Sequence, residues 1–391
     1  MCHDLAIPHR QASPPSRPTG DLGWLLVTTP SIAHLDIESL RHFDQVTGAG
    51  ATSMGGWRVQ SVDLTGRTAV LLKLSPMGSL FLGCALEETA ATWVRDGGGL
   101  IFPAIPELPF DPYRGSLYAA DELYAGLAAG YEATPDAQIY AWSRQYDERG
   151  DTSRTLAAAL HDHSIADALH ELPGGKPWIG VMGGHGIART DPTYRAAVLL
   201  GRTLARAGLT VATGGGPGAM EAANLGASLS LYDDAAVDSA LAMLAGTPSF
   251  RPSIADWATS GLAVRQAFPG DGGVSIPTWF YGHEPPNVFA GSIAKYFSNA
   301  LREDVLLGRA RGGIIYLPGA AGTVQEIFQA VTPNYYGDQV TQTPMILVGD
   351  HYWTTELPVW PLLQGLAAGR PMAASVHLVG SIEDAARLVI R

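Results

Sequence analysis

The sequence predicts an α/β protein built on a doubly wound parallel sheet, with an additional N-terminal α/β domain. Three observations predict it. From Trp178 onward, short apolar runs alternate with amphipathic helical stretches, and strands apolar on both faces belong to parallel sheets covered by helices on both sides. Three of those runs end in glycine turns that open a helix: Met182-Gly183-Gly184-His185-Gly186, Gly214-Gly215-Gly216-Pro217-Gly218-Ala219-Met220-Glu221, and Pro318-Gly319-Ala320-Ala321-Gly322-Thr323-Val324-Gln325-Glu326. At 391 residues the chain also exceeds one ordinary compact core, so two domains are expected.

Residues 1–20 hold four prolines and no apolar segment of signal-peptide type, and they read as a disordered tail. Residues 21–135 read as the N-terminal α/β domain, with strands at 24–27, 57–63, 69–74 and 100–103 and helices at 37–43 and 117–129. Its strands come closer to alternation, and its glycine run Gly97-Gly98-Gly99 precedes a strand instead of following one. No phosphate turn is therefore expected there, and no internal repeat is evident. Residues 136–176 read as a helical connector.

Residues 177–391 form the Rossmann-like domain. Strands are expected at 178–182, 209–212, 276–281, 313–317, 345–348 and 376–379. Helices are expected at 192–207, 219–229, 290–307, 323–330 and 382–390. Residues 233–272 interrupt this rhythm with two helical stretches and several Pro and Gly breaks, an insertion that suits a lid or a subunit contact. Right-handed crossovers place every strand-to-helix turn along one edge of such a sheet, where ligands of doubly wound folds bind.

Composition narrows the function. A formal charge of −12 argues against a nucleic-acid backbone as partner, because that binding needs a basic face. A single phosphate held locally is compatible with an acidic protein. No apolar run approaches the ~20 residues needed to span a bilayer, and a cytoplasmic protein is expected. Cys2 and Cys84 are the only cysteines, which excludes a disulfide framework and a thiolate metal site.

The glycine turns carry the chemistry. A helix start presents unpaired N–H groups and the positive end of the helix dipole, and glycine lets a phosphate approach the backbone. Gly183, Gly184, Gly214, Gly215, Gly216, Gly218, Gly319, Ala320, Gly322 and Thr323 are thus expected to bind the phosphate of a nucleotide, with His185 contacting phosphate or base and Asn287 reading the base. Glu326 lies one turn inside its helix, beside the phosphate pocket. Two negative groups so close must engage different parts of the ligand, as in a nucleoside monophosphate with its ribose near the carboxylate. Arg302, on the preceding helix, is the candidate cation for phosphate or for orienting Glu326. Arg309 and Arg311 are placed at that helix's solvated end. His161-Asp162-His163 lacks helical ligand spacing, so it reads as a solvated helix and no metal is expected. No Ser or Cys nucleophile signature is present.

These residues carry a resemblance. The Val181 to Gly186 turn, the Gly214 to Glu221 turn continuing through Ala227, the tetrapeptide Glu284-Pro285-Pro286-Asn287, and Gly313 through Glu326 resemble, in matching order, the LOG-like superfamily. That superfamily includes cytokinin riboside monophosphate phosphoribohydrolases and the longer bacterial nucleotide 5′-monophosphate nucleosidases, and the His185 turn looks closer to the longer branch. The resemblance implies Gly319, Gly322 and Thr323 as phosphate ligands, Glu326 as catalytic carboxylate, Arg302 as catalytic arginine, and a homo-oligomer. It departs at Ala320, where the pattern has a second glycine, and at Gln325, where many members have glutamate. Such proteins have been labelled lysine decarboxylases, but pyridoxal chemistry needs a Schiff-base lysine. Only Lys295 lies near the turns, with no supporting pattern, so no cofactor is expected. The expected reaction is hydrolysis of the N-glycosidic bond of a nucleoside 5′-monophosphate to free base and ribose 5-phosphate, with non-catalytic nucleotide sensing as the alternative.

Overall fold

The computed structural model describes residues 34–145, 151–173, 175–280, 284–338 and 340–390. The expected tail, the expected strand at 24–27 and the end of the expected strand 276–281 lie outside the described residues. The first unit runs β1 (Leu35–Ile37), α1 (Leu40–Gly48), β2 (Trp57–Gln60), α2 (Thr68–Leu71), β3 (Leu80–Leu82), α3 (Glu88–Asp96) and β4 (Leu100–Phe102). Its four strands are parallel and adjacent in chain order.

This unit corrects the sequence expectation in several places. The expected strand 69–74 is helix α2, and β3 was not foreseen. The expected helix 37–43 divides at Ser39, whose side chain accepts from His42 N–H and starts α1 just after β1 ends. A structural repeat is present after all. Leu35 pairs with Trp57, Arg58 with Leu80 and Leu80 with Leu100, so the chain returns to the sheet every 20 to 22 residues, in the range of stacked-repeat architectures. One ladder, Ile37, Val59 and Phe81, is fully buried across β1, β2 and β3, and its partner in β4, Ile101, is partly buried. One recurring apolar position per unit is too weak a signal to read from sequence.

Next come α4 (Ala120–Leu123), α5 (Pro135–Arg144) and α6 (Thr152–His170). The expected helix 117–129 is thus a single α-turn followed by a 3₁₀ turn at Leu127–Ala129. The large unit continues β5 (Trp178–Met182), α7 (Pro192–Arg206), β6 (Thr210–Thr213), α8 (Ala219–Ser228), α9 (Asp234–Leu244), α10 (Ile254–Ala267), β7 (Val274–Ser275), β8 (Ser292–Ile293), α11 (Asn299–Arg309), β9 (Gly313–Tyr316), α12 (Ala321–Tyr336), β10 (Met345–Val348), α13 (Val359–Ala367), β11 (Val376–Val379) and α14 (Ile382–Val389). Its strands are all parallel in the order β11-β10-β9-β5-β6-β7-β8. Strands β9 and β10 are buried along their whole length, as two helical layers require.

Two expectations fail around β7 and β8. The strand expected at 276–281 is two residues long and ends at Ser275. The helix expected at 290–307 begins only at Asn299, because Ser298 caps it and Asp162 accepts the N–H groups of both Phe297 and Ser298, holding them out of the helix. The residues before it form β8, whose Ile293 exchanges two backbone hydrogen bonds with Tyr118 and so is covered on its open side.

Apart from a small cluster of Trp142, Ala157 and Ala158, the buried apolar side chains of the described residues fall into two cores. One runs from Ile37 to Val94; the other takes in Tyr118, Leu123, Ile139, Ile165 and Leu169 together with the large sheet. Arg58 bridges the units through Asp36 on β1 (2.8 Å) and Asp167 on α6 (3.0 Å). The 233–272 insertion belongs to the large core through Val237, Ala240, Leu244 and Trp257. Among the described residues, no helix is long and apolar enough to cross a membrane.

Candidate functional site

The three glycine turns leave β5, β6 and β9, which are neighbours at the centre of the large sheet. Chain order reverses there: β6 lies on one side of β5 and β9 on the other, and such a switch point opens a crevice at the strands' C-terminal ends. The turns touch one another. Gly184 N–H donates to Pro318 O (3.0 Å), and Ala219 N–H donates to Gly184 O (3.2 Å). Gly218 sits at φ +71°, and a Cβ there would lie 2.5 Å from Gly184 O, so a side chain is barred twice over.

The turn after β9 is braced from both sides. Tyr352 Oη donates to Gly319 O (2.8 Å), and a Cβ on Gly319 would lie 2.2 Å from Thr323 Oγ1 and 3.0 Å from Gly184 N. Ala320 has φ −97°, outside the left-handed region that favours glycine, and it is exposed. Its methyl therefore imposes no backbone strain on the turn. A Cβ on Gly322 would meet no atom within 4 Å.

Helices α8 and α12, which follow two of these turns, begin at Gly218 and Ala320 with no side chain capping them. Every other described helix of ten residues or more starts on a Ser, Thr or Asp that accepts a backbone N–H. The missing cap leaves the first N–H groups of α12 to a ligand, whereas at α8 the first N–H, that of Ala219, is already taken by Gly184 O.

Behind the α12 turn lies a charged triad. Arg302 Nη1 is 3.2 Å from Glu326 Oε1 and 2.9 Å from Glu303 Oε2, and all three residues are at least nine-tenths buried. Burial, reinforced by Glu303, pushes the Glu326 carboxyl up to about 8 against the opposing pull of Arg302. Burial raises Glu303 too. A Cβ on Gly214 would lie 3.6 Å from Arg302 Nη1, so the β6 turn passes directly over the guanidinium. Sequence reading missed Glu303; its position beside Arg302 was the only signal.

Further along the β6 turn, His185 Nδ1 pairs with Glu284 Oε1 at 2.9 Å, and a Cβ on Gly216 would lie 3.1 Å from Glu284 Oε2. Glu284 raises the His185 pKa.

Two expectations are corrected here, for Asn287 and for His161-Asp162. Asn287 does not face a ligand. It is fully buried, its side-chain amide donates to Gly215 O (3.1 Å) and Asn224 Oδ1 (3.0 Å), and its Oδ1 accepts from Phe289 N, so it braces the β6 turn. His161 and Asp162 are buried, not solvated: His161 Nε2 meets Tyr118 Oη at 2.8 Å, and burial lowers its pKa. Lys295 is buried against Asp136 (2.6 Å), over the Trp279 ring, which leaves no exposed amine. Glu221, the carboxylate opened by the β6 turn, is taken by buried Arg189, which also donates to Thr247, Ser260 and Trp257 of the insertion.

Asp36, Asp167 and Glu171 bring three carboxylates together, but Arg58 already engages two of them. Cys84 is buried with its thiol pushed up to about 11. A cavity of about 940 Å³ lies beside the site and not at the turns. Trp142, Trp279, Phe280 and Phe297 line it, together with the start of α11 and Gln325. We centre the site on the turns, because the uncapped helix starts and the charged triad meet there.

Residues 176–230, which carry the first two of these turns, match the SLOG cluster4 family. The match supports the LOG-like superfamily for this part of the chain and does not distinguish among its branches. Among solved structures, a molybdenum cofactor binding protein from Rippkaea orientalis aligns at 20% identity and a TM-score of 0.34, covering 56% of this chain and 97% of that one. The molybdenum cofactor carrier protein of Chlamydomonas reinhardtii aligns at 18% identity and a TM-score of 0.34, covering 55% and 96%. No curated protein sequence matches the chain.

Proposed function

We propose that the protein hydrolyses the N-glycosidic bond of a nucleoside 5′-monophosphate, releasing free base and ribose 5-phosphate. The observation that carries this reading is Glu326: a buried carboxyl, held by Arg302, one helical turn behind an uncapped helix start at the meeting point of three glycine turns. The phosphate docks on the N–H groups of the Gly319–Thr323 turn, with the Gly183 and Gly214 turns as walls. Binding energy from that remote group positions C1′ for reaction. As the bond breaks, C1′ takes on oxocarbenium character, and ionised Glu326 stabilises that charge and orients the attacking water. Arg302 keeps the carboxylate aimed and draws it toward its ionised form. The insertion, tied down through Arg189, holds α8 in place behind the β6 turn.

The test is incubation of purified protein with AMP, GMP, CMP, UMP and IMP, with chromatographic detection of free base. Release from at least one is expected; no release from any at high enzyme concentration overturns the reading. Ala320 favours a second reading, a nucleotide-binding module without hydrolysis, since the superfamily pattern has glycine there. Calorimetric binding of a monophosphate that is recovered intact selects it. The substrate, a homo-oligomeric state and a cytoplasmic location all belong to this proposal.

A further inference from the structure

A purine or pyrimidine expelled as an anion is a poor leaving group, so nucleotide hydrolysis needs a proton delivered to the base as well as a stabilised C1′. Glu326 and Arg302 lie beside Gly214 of the β6 turn, and the pair His185 and Glu284 lies two residues further along it, beside Gly216. We propose that His185 is the general acid that protonates the departing base, with Glu284 as its positioning residue; this rests on the nucleosidase reading above.

The geometry supports the assignment in three ways. His185 belongs to the β5 turn and Glu284 to the segment after β7, so the contact between them spans the mouth of the crevice. The 2.9 Å contact engages Nδ1, leaving Nε2 as the group that donates. Its side chain is 56% exposed, which lets solvent reload the proton after each turnover. The groups facing the imidazole are Glu284, which favours its charged form, Arg251, which opposes it, and the Phe250 ring, nearly perpendicular to it with the centroids 6.5 Å apart.

The step balances. The C1′–N bond breaks with its electron pair passing to the base, and His185 Nε2–H gives its proton to a ring nitrogen, so the base leaves neutral. Water adds to C1′ and loses its proton to Glu326. His185 then regains a proton from solvent and Glu326 releases one. The two groups act in opposite states, His185 charged and Glu326 ionised, so the rate passes through a maximum in pH.

The experiment compares two substrates: AMP, and 4-nitrophenyl β-ribofuranoside 5-phosphate, whose leaving group departs without a proton. For His185→Asn, kcat on AMP is expected to fall by about 10² or more, while kcat on the nitrophenyl substrate stays within ~3-fold of wild type. The alkaline decline of the AMP pH profile should disappear in this variant, because ionised Glu326 is then the one titrating group the rate requires. Glu284→Gln removes the group that favours the charged imidazole and should lower kcat on AMP while the maximum in pH remains. Equal loss on both substrates, or none on either, overturns the role of His185 as an acid while leaving the nucleosidase reading intact. A wild-type protein inactive on both substrates overturns that reading and the proposal with it.

Discussion

Arg302 Nη1 stands between two carboxylates, 3.2 Å from Glu326 and 2.9 Å from Glu303, so one guanidinium holds two buried acids. A single positive charge cannot keep both ionised in a water-poor site, and Glu326 is pushed up to about 8. On the nucleosidase reading its ionised form is the active one. The acid limb of the rate profile therefore falls with decreasing pH near neutrality, well above an ordinary carboxyl. Glu326→Gln should lower kcat by ~10² or more with a smaller effect on KM. Arg302→Met removes the group that lowers the Glu326 pKa, so the surviving activity should shift to higher pH. A pH profile of kcat for the three proteins checks both.

The same pair makes stability depend on pH with a definite sign. Glu326 holds its proton in the fold up to about 8, whereas in the unfolded chain it releases it near the ordinary glutamate value. Its contribution is complete below that lower value and is lost as pH rises toward 8, and Glu303, also raised, acts in the same direction. Tm should therefore drop between pH 5 and pH 8, by less in Glu326→Gln than in wild type. Thermal unfolding followed by circular dichroism across that range is the measurement.

Gly319 is held at close quarters. With Thr323 Oγ1 2.2 Å and Gly184 N 3.0 Å from the place its Cβ would occupy, Gly319→Ala must push the α12 turn away from the β5 turn. We expect a loss of roughly 1–3 kcal/mol in stability, as for overpacking elsewhere, and a rise in KM for monophosphates. Ala320→Gly is the contrasting change: at φ −97° and exposed, the alanine already fits, so activity should stay within ~3-fold of wild type. Kinetics and urea unfolding of the two variants check this.

How much of this was legible in sequence depended on period and punctuation. The large sheet was readable because β5, β9 and β10 are apolar runs, β6 and β11 are short segments rich in β-branched or apolar residues, and most of their helices begin at recognisable caps or glycine turns. Strand β8 was not, since two residues carry no pattern and Asp162, which holds the following residues out of the helix, comes from another helix far back in the chain. The N-terminal sheet was misread because each of its strands is only three or four residues long. In the site, Glu326 was placed by its spacing to the turn and Arg302 by its helix, and it was the resemblance that gave both a role. Asn287 was misassigned because a polar residue after Pro-Pro looks the same in sequence whether it faces a ligand or the backbone of Gly215. The difference between Glu221 and Glu326, each opened by a glycine turn, was invisible without Arg189.

That difference gives the last prediction. Glu221 and Arg189 are both almost fully buried and hydrogen-bonded to each other through Nε and Nη2, and Arg189 carries the insertion through Thr247, Ser260 and Trp257. Removing either partner strands a charge in the core, so Glu221→Ala and Arg189→Ala should each cost about 3–5 kcal/mol. The double variant should cost less than the sum, because neither charge is then left alone. A urea double-mutant cycle measures the coupling, and strict additivity would show that the pair does not act as a unit. Glu221→Gln keeps an acceptor for Arg189 Nε and should cost less than Glu221→Ala. A Glu221→Gln protein that folds yet keeps full activity would separate this brace from Glu326, whose equivalent change is expected to leave the fold intact and remove turnover.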